Sequence, residues 1–351
     1  MKQLIIINQI QFGYNNATYY YCKYLKKDFN IVYICWDHEL PKIKMDGVEV
    51  AYVSRKGSVP VRTFRFLRVA IGRVNYKEEI IFIKYFKGVS LVLRLLRPWN
   101  PIVLDIRTGA VYKNPWRRKF SDARLKFETQ FFKNVTVISK SLAEKLGIAH
   151  KAHILPLGAD VISSKTKTFD GLHLLYVGTL FNRDIHIAVQ GFKKFYDKFK
   201  GQLPLSFTII GDGPHNEAQG LKTMVAELGL SEVVKVIGEI PHPELRPYFD
   251  ACNIGVSYVP MTDYYDCQPV TKTFEYLLSG MPVIATGTVE NKTVINNQNG
   301  VLIGDTAEDF FSGIKSIFNK KYESDKIRLT SQGYTWENIV QNNLRKYLKN
   351  L

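Results

Sequence analysis

The chain is poor in cysteine. Among 351 residues it has four, Cys22, Cys35, Cys252 and Cys267, scattered without the paired spacing of metal ligands. That excludes a disulfide scaffold and argues against structural zinc; each sits beside apolar or aromatic residues, as a small core residue does. Long apolar runs are missing too. Lys or Arg interrupts even the best stretch, Gly88 to Arg97, well short of the roughly 18 residues a spanning helix needs. The start, Met1 to Asn8, has too short an apolar run for a secretory leader, and no small-residue cleavage site follows it. The expectation is a cytoplasmic protein. What is present, 46% hydrophobic, 13% aromatic and 23% charged residues, belongs to an ordinary folded chain rather than a disordered or fibrous one.

Acidic residues are few relative to basic ones. The count of 48 Lys and Arg against 32 Asp and Glu leaves a formal charge of +16, and all of the excess lies in residues 1–150. Residues 51–133 alone hold 19 basic and 5 acidic side chains, interleaved with Phe64, Phe66, Trp99, Trp116, Phe120 and Phe127. Arg62, Arg65, Arg68 and Arg73 beside Phe64, Leu67, Ile71 and Val74, with Pro60 at a first turn, read as a basic amphipathic helix. Such a helix suits an anionic bilayer or an acidic acceptor. No nucleic-acid-binding motif accompanies it, so nucleic acid is not the expected partner.

Ten apolar runs alternate with helical patterns. In the first half they are Leu4–Asn8, Ile31–Cys35, Ile80–Tyr85, Ile102–Ile106 and Val135–Ile138. In the second they are Leu172–Val177, Ser206–Ile210, Val233–Ile237, Ile254–Tyr258 and Val283–Ala285. Runs without polar alternation are covered on both faces, so the pattern predicts an α/β protein with two doubly wound parallel sheets. The polar stretch Ile162 to Thr168 reads as a linker. The expected division is 1–157, 158–335 and a closing amphipathic helix over 336–351.

In open parallel sheets, ligands bind at the carboxyl ends of strands. Three such junctions lie in the second half. The first runs from Leu174 through Gly178 and Thr179 to Arg183, whose guanidinium fork matches phosphate oxygens or simply points to solvent. The second is Ile209-Ile-Gly-Asp-Gly-Pro214, where Gly211 and Gly213 let backbone approach a ligand or make an ordinary turn. The third is Asp263 to Ala285, in which Thr271 or the loop before it caps a helix that Gly280 ends. Lys272 falls in that helix's first turn, where the dipole disfavours a cation unless an anion is nearby. It either faces such an anion or pairs with Glu275 at i, i+3. Glu275, one turn deeper, could accept hydrogen bonds from a ribose diol.

Taken in order, Leu155-Pro-Leu-Gly-Ala-Asp160, Tyr176-Val-Gly-Thr-Leu180, Ile209 to Pro214, Val236-Ile-Gly-Glu-Ile240 and Lys272 to Ala285 resemble the C-terminal half of the family 4 (group 1) glycosyltransferases. The resemblance implies the GT-B architecture: two facing Rossmann-like domains, with a C-terminal helix crossing back to the first. It implies a basic, acceptor-binding N-terminal domain and a donor-binding C-terminal domain. The activity implied is retaining transfer from a nucleotide diphosphate sugar, UDP- or GDP-linked, without a bound metal or other cofactor. The acceptor would be a glycan or a lipid-linked one, in cell-surface polysaccharide synthesis such as lipopolysaccharide or capsule, with the enzyme peripheral on the inner face of the cell membrane.

Carried over by position, Arg183 and Lys272 fall beside the donor diphosphate and Glu275 at the ribose. Gly178, Thr179, Gly211, Gly213, Thr271 and Thr273 line the donor side. Val236, Ile237 and Glu239 correspond to the segment on the nucleotide base, and Gly13 to the first loop of the N-terminal domain. Two departures stand out. Cys267 occupies the place of the family's first glutamate, with Asp266 and Gln268 as possible substitutes, and Thr179 replaces an arginine. Where the family commonly has a catalytic histidine, this chain offers Asp105 and Arg107 on the acceptor side. His38, His186, His215 and His242 show no metal-like spacing and read as surface or packing residues. No Asp-x-Asp motif of the metal-nucleotide type occurs. Rival readings are a degenerate nucleotide-sugar binding module and a GT-B sugar-nucleotide epimerase.

Overall fold

The computed structural model describes residues 1–74 and 79–351, so Lys77 and Glu78 of the basic stretch lie outside the described residues. The chain forms two compact units, residues 1–158 with 336–351 and residues 159–335.

The first unit contains strands β1 (Lys2–Asn8), β2 (Phe29–Asp37), β3 (Val48–Ser54), β4 (Ile80–Lys84), β5 (Ile102–Ile106), β6 (Asn134–Val137) and β7 (Ala152–Ile154). Helices α1 (Asn16–Leu25), α2 (Val59–Gly72), α3 (Val89–Leu96), α4 (Pro115–Thr129) and α5 (Lys140–Lys145) connect them. All pairings are parallel, in the order β3-β2-β1-β4-β5-β6-β7. The Leu4-Ile-Ile-Ile7 run of β1 is at most 1% exposed, as expected of β-branched residues covered on both faces.

The second unit contains β8 (Leu172–Val177), β9 (Leu205–Ile210), β10 (Val234–Gly238), β11 (Ile254–Ser257), β12 (Val283–Thr286) and β13 (Gly300–Ile303). Its helices are α6 (Ile185–Phe199), α7 (Glu217–Glu227), α8 (Arg246–Ala251), α9 (Thr271–Leu278), α10 (Val289–Val294), α11 (Ala307–Phe318) and α12 (Ser324–Leu329). The order β10-β9-β8-β11-β12-β13 repeats the first six places of the first unit's seven, with no counterpart of β7. In each sheet the winding reverses beside the first strand, at β1/β4 and at β8/β11, and there a crevice opens at the carboxyl ends.

Three strands, β3, β7 and β13, are absent from the apolar pattern. All three are sheet edges. An edge strand is covered less completely, so polar and half-exposed residues enter it, as in Val48-Glu-Val-Ala-Tyr-Val-Ser54.

Two further expectations are corrected. The stretch 162–168 is no free linker. Ser163 and Lys167 are buried, and the Ser163 hydroxyl donates to Asp250 at 2.5 Å. The Ser163 and Lys167 amides donate to the hydroxyls of Ser279 and Ser324 at 3.2 and 2.9 Å, which straps the segment onto the second unit. Helix α2 forms, but it buries Phe66 and Ala70, whereas Phe64 is exposed. Its Arg65 donates to the carbonyls of Ser54 and Lys56, both at 2.9 Å, rather than standing free.

The closing segment belongs to the first unit. It runs through α13 (Trp336–Ile339), a π turn at Val340–Leu344 and α14 (Arg345–Lys349). Trp336 stacks on Tyr20 with ring centroids 5.4 Å apart, and Gly158 has no room for a side chain beneath that indole. The Asn343 amide donates to the Ile154 carbonyl at 3.0 Å and its oxygen meets His153 Nε2 at 2.7 Å.

Candidate functional site

A cavity of about 740 Å³ opens at the carboxyl ends of β8, β9 and β10. Glycines make its floor. Gly178 and Gly211 adopt φ of 143° and 142°, and a Cβ at Gly211 would overlap the Gly178 carbonyl. Only glycine allows the two strand ends to approach so closely. Gly213 lines the same cavity, as do Thr179, Glu239, Pro241 and His242. The Asp212 carboxylate accepts from the Ala218 and Gly213 amides, which hold it below its ordinary pKa and tie the glycine loop to α7.

Helix α9 follows β11 and so begins beside the β8/β11 reversal. Its N-cap, Val270, contributes no side-chain cap. Thr271 is therefore the first helical residue, and the N-cap falls in the loop before it, the second of the two expected places. Lys272 comes next, buried, with its ammonium 3.5 Å from the centroid of the Tyr176 ring. A Cβ on Gly178 would come within 3.5 Å of the same nitrogen. Arg183 lies close by, its guanidinium 4.1 Å from the centroid of Tyr265. It sits between two left-handed residues, Asn182 (φ 55°) and Asp184 (φ 50°), conformations that Asn and Asp tolerate best after glycine.

The electrostatics of this group are unusual for a folded interior. Burial, and then the nearby Arg183 charge, push the Lys272 ammonium well below the ordinary lysine pKa, and Glu275 offsets this only in part. Among the described residues no carboxylate lies within ion-pair distance of Lys272 or Arg183, so the i, i+3 pairing with Glu275 does not form. Arg183 Nη1 is buried without a hydrogen-bond partner. Buried cations are normally paired. Here Lys272 is buried and Arg183 half-buried, and neither has a carboxylate beside it.

Glu275 has a different partner. His242 Nε2 stands 3.2 Å from Glu275 Oε1, and this hydrogen bond raises the histidine pKa against the opposing effect of burial. The reading of His242 as a surface or packing residue is thus corrected: it lines the cavity.

Other residues divide. Val236 is buried in β10, while Ile237 and Glu239 are exposed at its end. Thr179 donates to the Asp212 carbonyl at 3.2 Å. Thr273 does not face the cavity: it is 1% exposed and shares hydrogen bonds with Ser257 at 2.6 Å and Asn291 at 3.2 Å, tying α9 to β11 and α10. Cys267 is buried. Asp266 accepts from the Val289 amide at the start of α10 at 2.8 Å, and Gln268 donates to the Tyr264 carbonyl at 2.6 Å. Both candidate substitutes for a glutamate at 267 are thus engaged, Asp266 with α10 and Gln268 within its own loop.

Three of the expected residues belong to the first unit. Gly13 (φ 91°) packs on Ile43 so tightly that a Cβ would collide with it. Asp105 is fully buried; it accepts from Thr136 at 2.8 Å and burial raises its pKa. Arg107 donates to the carbonyls of Leu155 and Pro156 at 2.7 and 3.3 Å. Asp105 and Arg107, 3.9 Å apart, therefore brace the end of the sheet, while Asp105 Oδ2 is buried without a hydrogen-bond partner.

Residues 171–320 match the family described as glycosyl transferases, group 1. No curated protein matches the chain in sequence. Among solved structures, sucrose-phosphate synthase from Thermosynechococcus elongatus superposes with a TM-score of 0.78 at 16% identity, covering 100% of this chain and 99% of that one. Anabaena HepE in complex with UDP-glucose gives 0.74 at 14% identity, with 100% of both chains covered. The lipopolysaccharide outer core galactosyltransferase WaaB gives 0.70 at 14% identity, again over 100% of both. The chain has the GT-B fold and resembles the group 1 glycosyltransferases, with the family's sequence match lying in the second unit.

Proposed function

We propose that the chain is a retaining glycosyltransferase that takes a sugar from a nucleotide diphosphate donor, UDP- or GDP-linked, and transfers it to a glycan or lipid-linked acceptor in cell-surface polysaccharide synthesis. One observation carries the reading: buried Lys272 and half-buried Arg183 lie close together with no carboxylate paired to either. A diphosphate supplies the missing negative charge. The cavity volume lies within the range of about 300–1,000 Å³ usual for small-molecule sites, and HepE, of the same fold, has been captured with UDP-glucose.

In this mechanism Arg183 and Lys272 hold the diphosphate and stabilise the charge that collects on it as the glycosidic bond breaks. Fixed cations in a desolvated site do this without reorganising. Glu275 Oε1 is held by His242, which leaves Oε2 to accept from a ribose hydroxyl. Val236, Ile237 and Glu239 take the base. With retention and front-face attack, the departing phosphate receives the acceptor hydroxyl's proton, and no separate base is required.

Membrane association has its support on α4. Trp116, Phe120, Ala123 and Phe127 are exposed and, at 100° per residue, fall within about 60° of one another on the helix. Lys119 and Lys126 border this stripe on one side and Arg117 on the other, all exposed. An apolar stripe edged by cations suits the headgroup boundary of an anionic bilayer. No helix among the described residues is long and apolar enough to cross a membrane.

A panel of nucleotide sugars read by thermal shift, followed by transfer assays with and without a chelator, tests the proposal. The expected result is one stabilising donor and turnover that survives the chelator. A second reading, a binding module without turnover, draws on the engaged side chains of Asp266 and Gln268 beside Cys267; it is selected if the donor binds and no product forms.

A further inference from the structure

A second cavity, of about 510 Å³, lies wholly within the first unit at the carboxyl ends of β2 and β3. Nothing in the donor chemistry uses it. One wall carries Arg55, Lys56 and Arg62, and the other Asp37 and Glu39. Among the described residues none of the three cations has a carboxylate within ion-pair distance.

The walls are held in place from behind. Gln11, fully buried, accepts from the His38 and Leu40 amides at 2.8 and 3.3 Å and donates to the Leu40 carbonyl at 2.7 Å. This pins the loop that carries Glu39. Glu39 itself adopts φ of 62°, a left-handed conformation unfavourable for glutamate, and its amide is held by Asp37 Oδ1 at 2.8 Å. Such backbone strain persists where surrounding structure enforces it, and it clusters at ligand sites. On the opposite wall Arg65 fixes the loop carbonyls of Ser54 and Lys56. His38 orients Arg55: its Nε2 faces the Gln9 carbonyl at 3.0 Å, so that nitrogen carries the proton, and Nδ1 accepts from Arg55 Nη1 at 3.0 Å. The rest of the Arg55 fork remains available.

The mixed lining selects the ligand. Asp37 is already paired with Lys42 at 3.8 Å, so Glu39 is the carboxylate set against the three cations: an anion without hydroxyls would leave Glu39 unanswered, and a neutral sugar would leave the cations unanswered. A small molecule with an anionic group at one end and hydroxyls at the other satisfies both walls. We propose that this cavity binds a phosphorylated sugar, its phosphate received by Arg55, Lys56 and Arg62 and its hydroxyls donating to Glu39 and Asp37. Arg is suited to this because its fork meets phosphate oxygens in pairs. The inference deepens the transferase reading, on which it rests, by assigning the acceptor an anionic group close to its sugar.

The test uses the full chain and isothermal titration with hexose 1- and 6-phosphates, against inorganic phosphate, unphosphorylated glucose and anionic phospholipid vesicles. At least one hexose phosphate is expected to bind ten-fold or more tightly than inorganic phosphate. Arg55→Ala and Arg62→Ala each weaken it at least ten-fold, and Glu39→Gln removes the hexose's advantage over phosphate. All three side chains lie at the surface, and unchanged circular dichroism confirms folding. UDP or GDP binding stays unchanged in every variant. A protein that binds nucleotide but no hexose phosphate overturns this inference alone, as does hexose-phosphate binding indifferent to Arg55 and Arg62. Vesicle binding that Arg55→Ala and Arg62→Ala abolish, with no binding of hexose phosphates, overturns it in favour of a lipid headgroup. A protein that binds hexose phosphate as described but no nucleotide overturns the transferase reading instead.

Discussion

The two units share one strand order over six places and arrange charge in opposite ways. Residues 1–150 carry the entire basic excess, yet much of it is exposed or bonded to backbone carbonyls, as Arg65 and Arg107 are. Residues 151–351 hold as many acidic as basic side chains, 21 of each. Even so, the most demanding cation lies there, because Lys272 is buried near Arg183 with no carboxylate paired to either. Net charge describes how a surface attracts; where an anion is gripped depends on which cations are left without partners.

The largest effect that sharpens this contrast is expected from Lys272→Met. Transfer should fall by about 10²–10³, the usual cost of removing a group that stabilises developing charge, while the melting temperature rises because an unpaired buried cation has been removed. The sign with pH follows from the lowered lysine pKa: the folded ammonium is penalised most at low pH, where it stays protonated, and the penalty fades as pH rises. The gain from Lys272→Met should therefore shrink from pH 6 to pH 9 in thermal melts. A variant that loses stability at every pH would show that Lys272 has a native partner.

Arg183→Lys comes next. A point charge on a flexible stem does not replace a fork aimed at two oxygens, so transfer should drop about ten-fold or more despite retained charge. Full activity in this variant would mean that Arg183 acts only through its charge.

His242 gives a smaller effect with a distinctive profile. Its pKa is raised by Glu275 and, more weakly, by Asp160, against burial. Its contribution to stability is therefore complete below the unfolded value of about 6.5 and is lost as pH rises through the raised folded value. Nucleoside diphosphate affinity should weaken over the same rise, and His242→Gln should remove that part of the slope. An identical pH profile in the variant would separate His242 from the site.

The smallest effect on chemistry is expected on α4. Trp116→Ser with Phe120→Ser should reduce binding to anionic vesicles several-fold and leave turnover of a soluble acceptor unchanged. Unaltered vesicle binding would assign those exposed aromatics elsewhere.

The central strands were readable because they are covered on both faces and so appear as uninterrupted apolar runs. The edges β3, β7 and β13 were not, since half-covered strands admit polar residues and lose the contrast. At the site, Lys272 drew attention through a local conflict, a cation in a helix's first turn, and the structure finds it buried with no carboxylate beside it. His242 was not: a single histidine after a proline carries no periodicity, and its partner lies 33 positions away on another helix. Thr273 shows the converse. Its place beside Lys272 suggested donor contact, but one step along a helix turns the side chain by about 100°, here into the network with Ser257 and Asn291. The strap over 162–168 deceived for a related reason, since its polar residues are those that hydrogen-bond when buried.

The most direct test compares UDP with UMP, and GDP with GMP, by isothermal titration on the wild-type chain and on Lys272→Met. The account predicts that the diphosphate of one pair binds at least ten-fold more tightly than its monophosphate and that this preference collapses in the variant. Equal affinity for mono- and diphosphates, or a preference that survives the loss of Lys272, would contradict it.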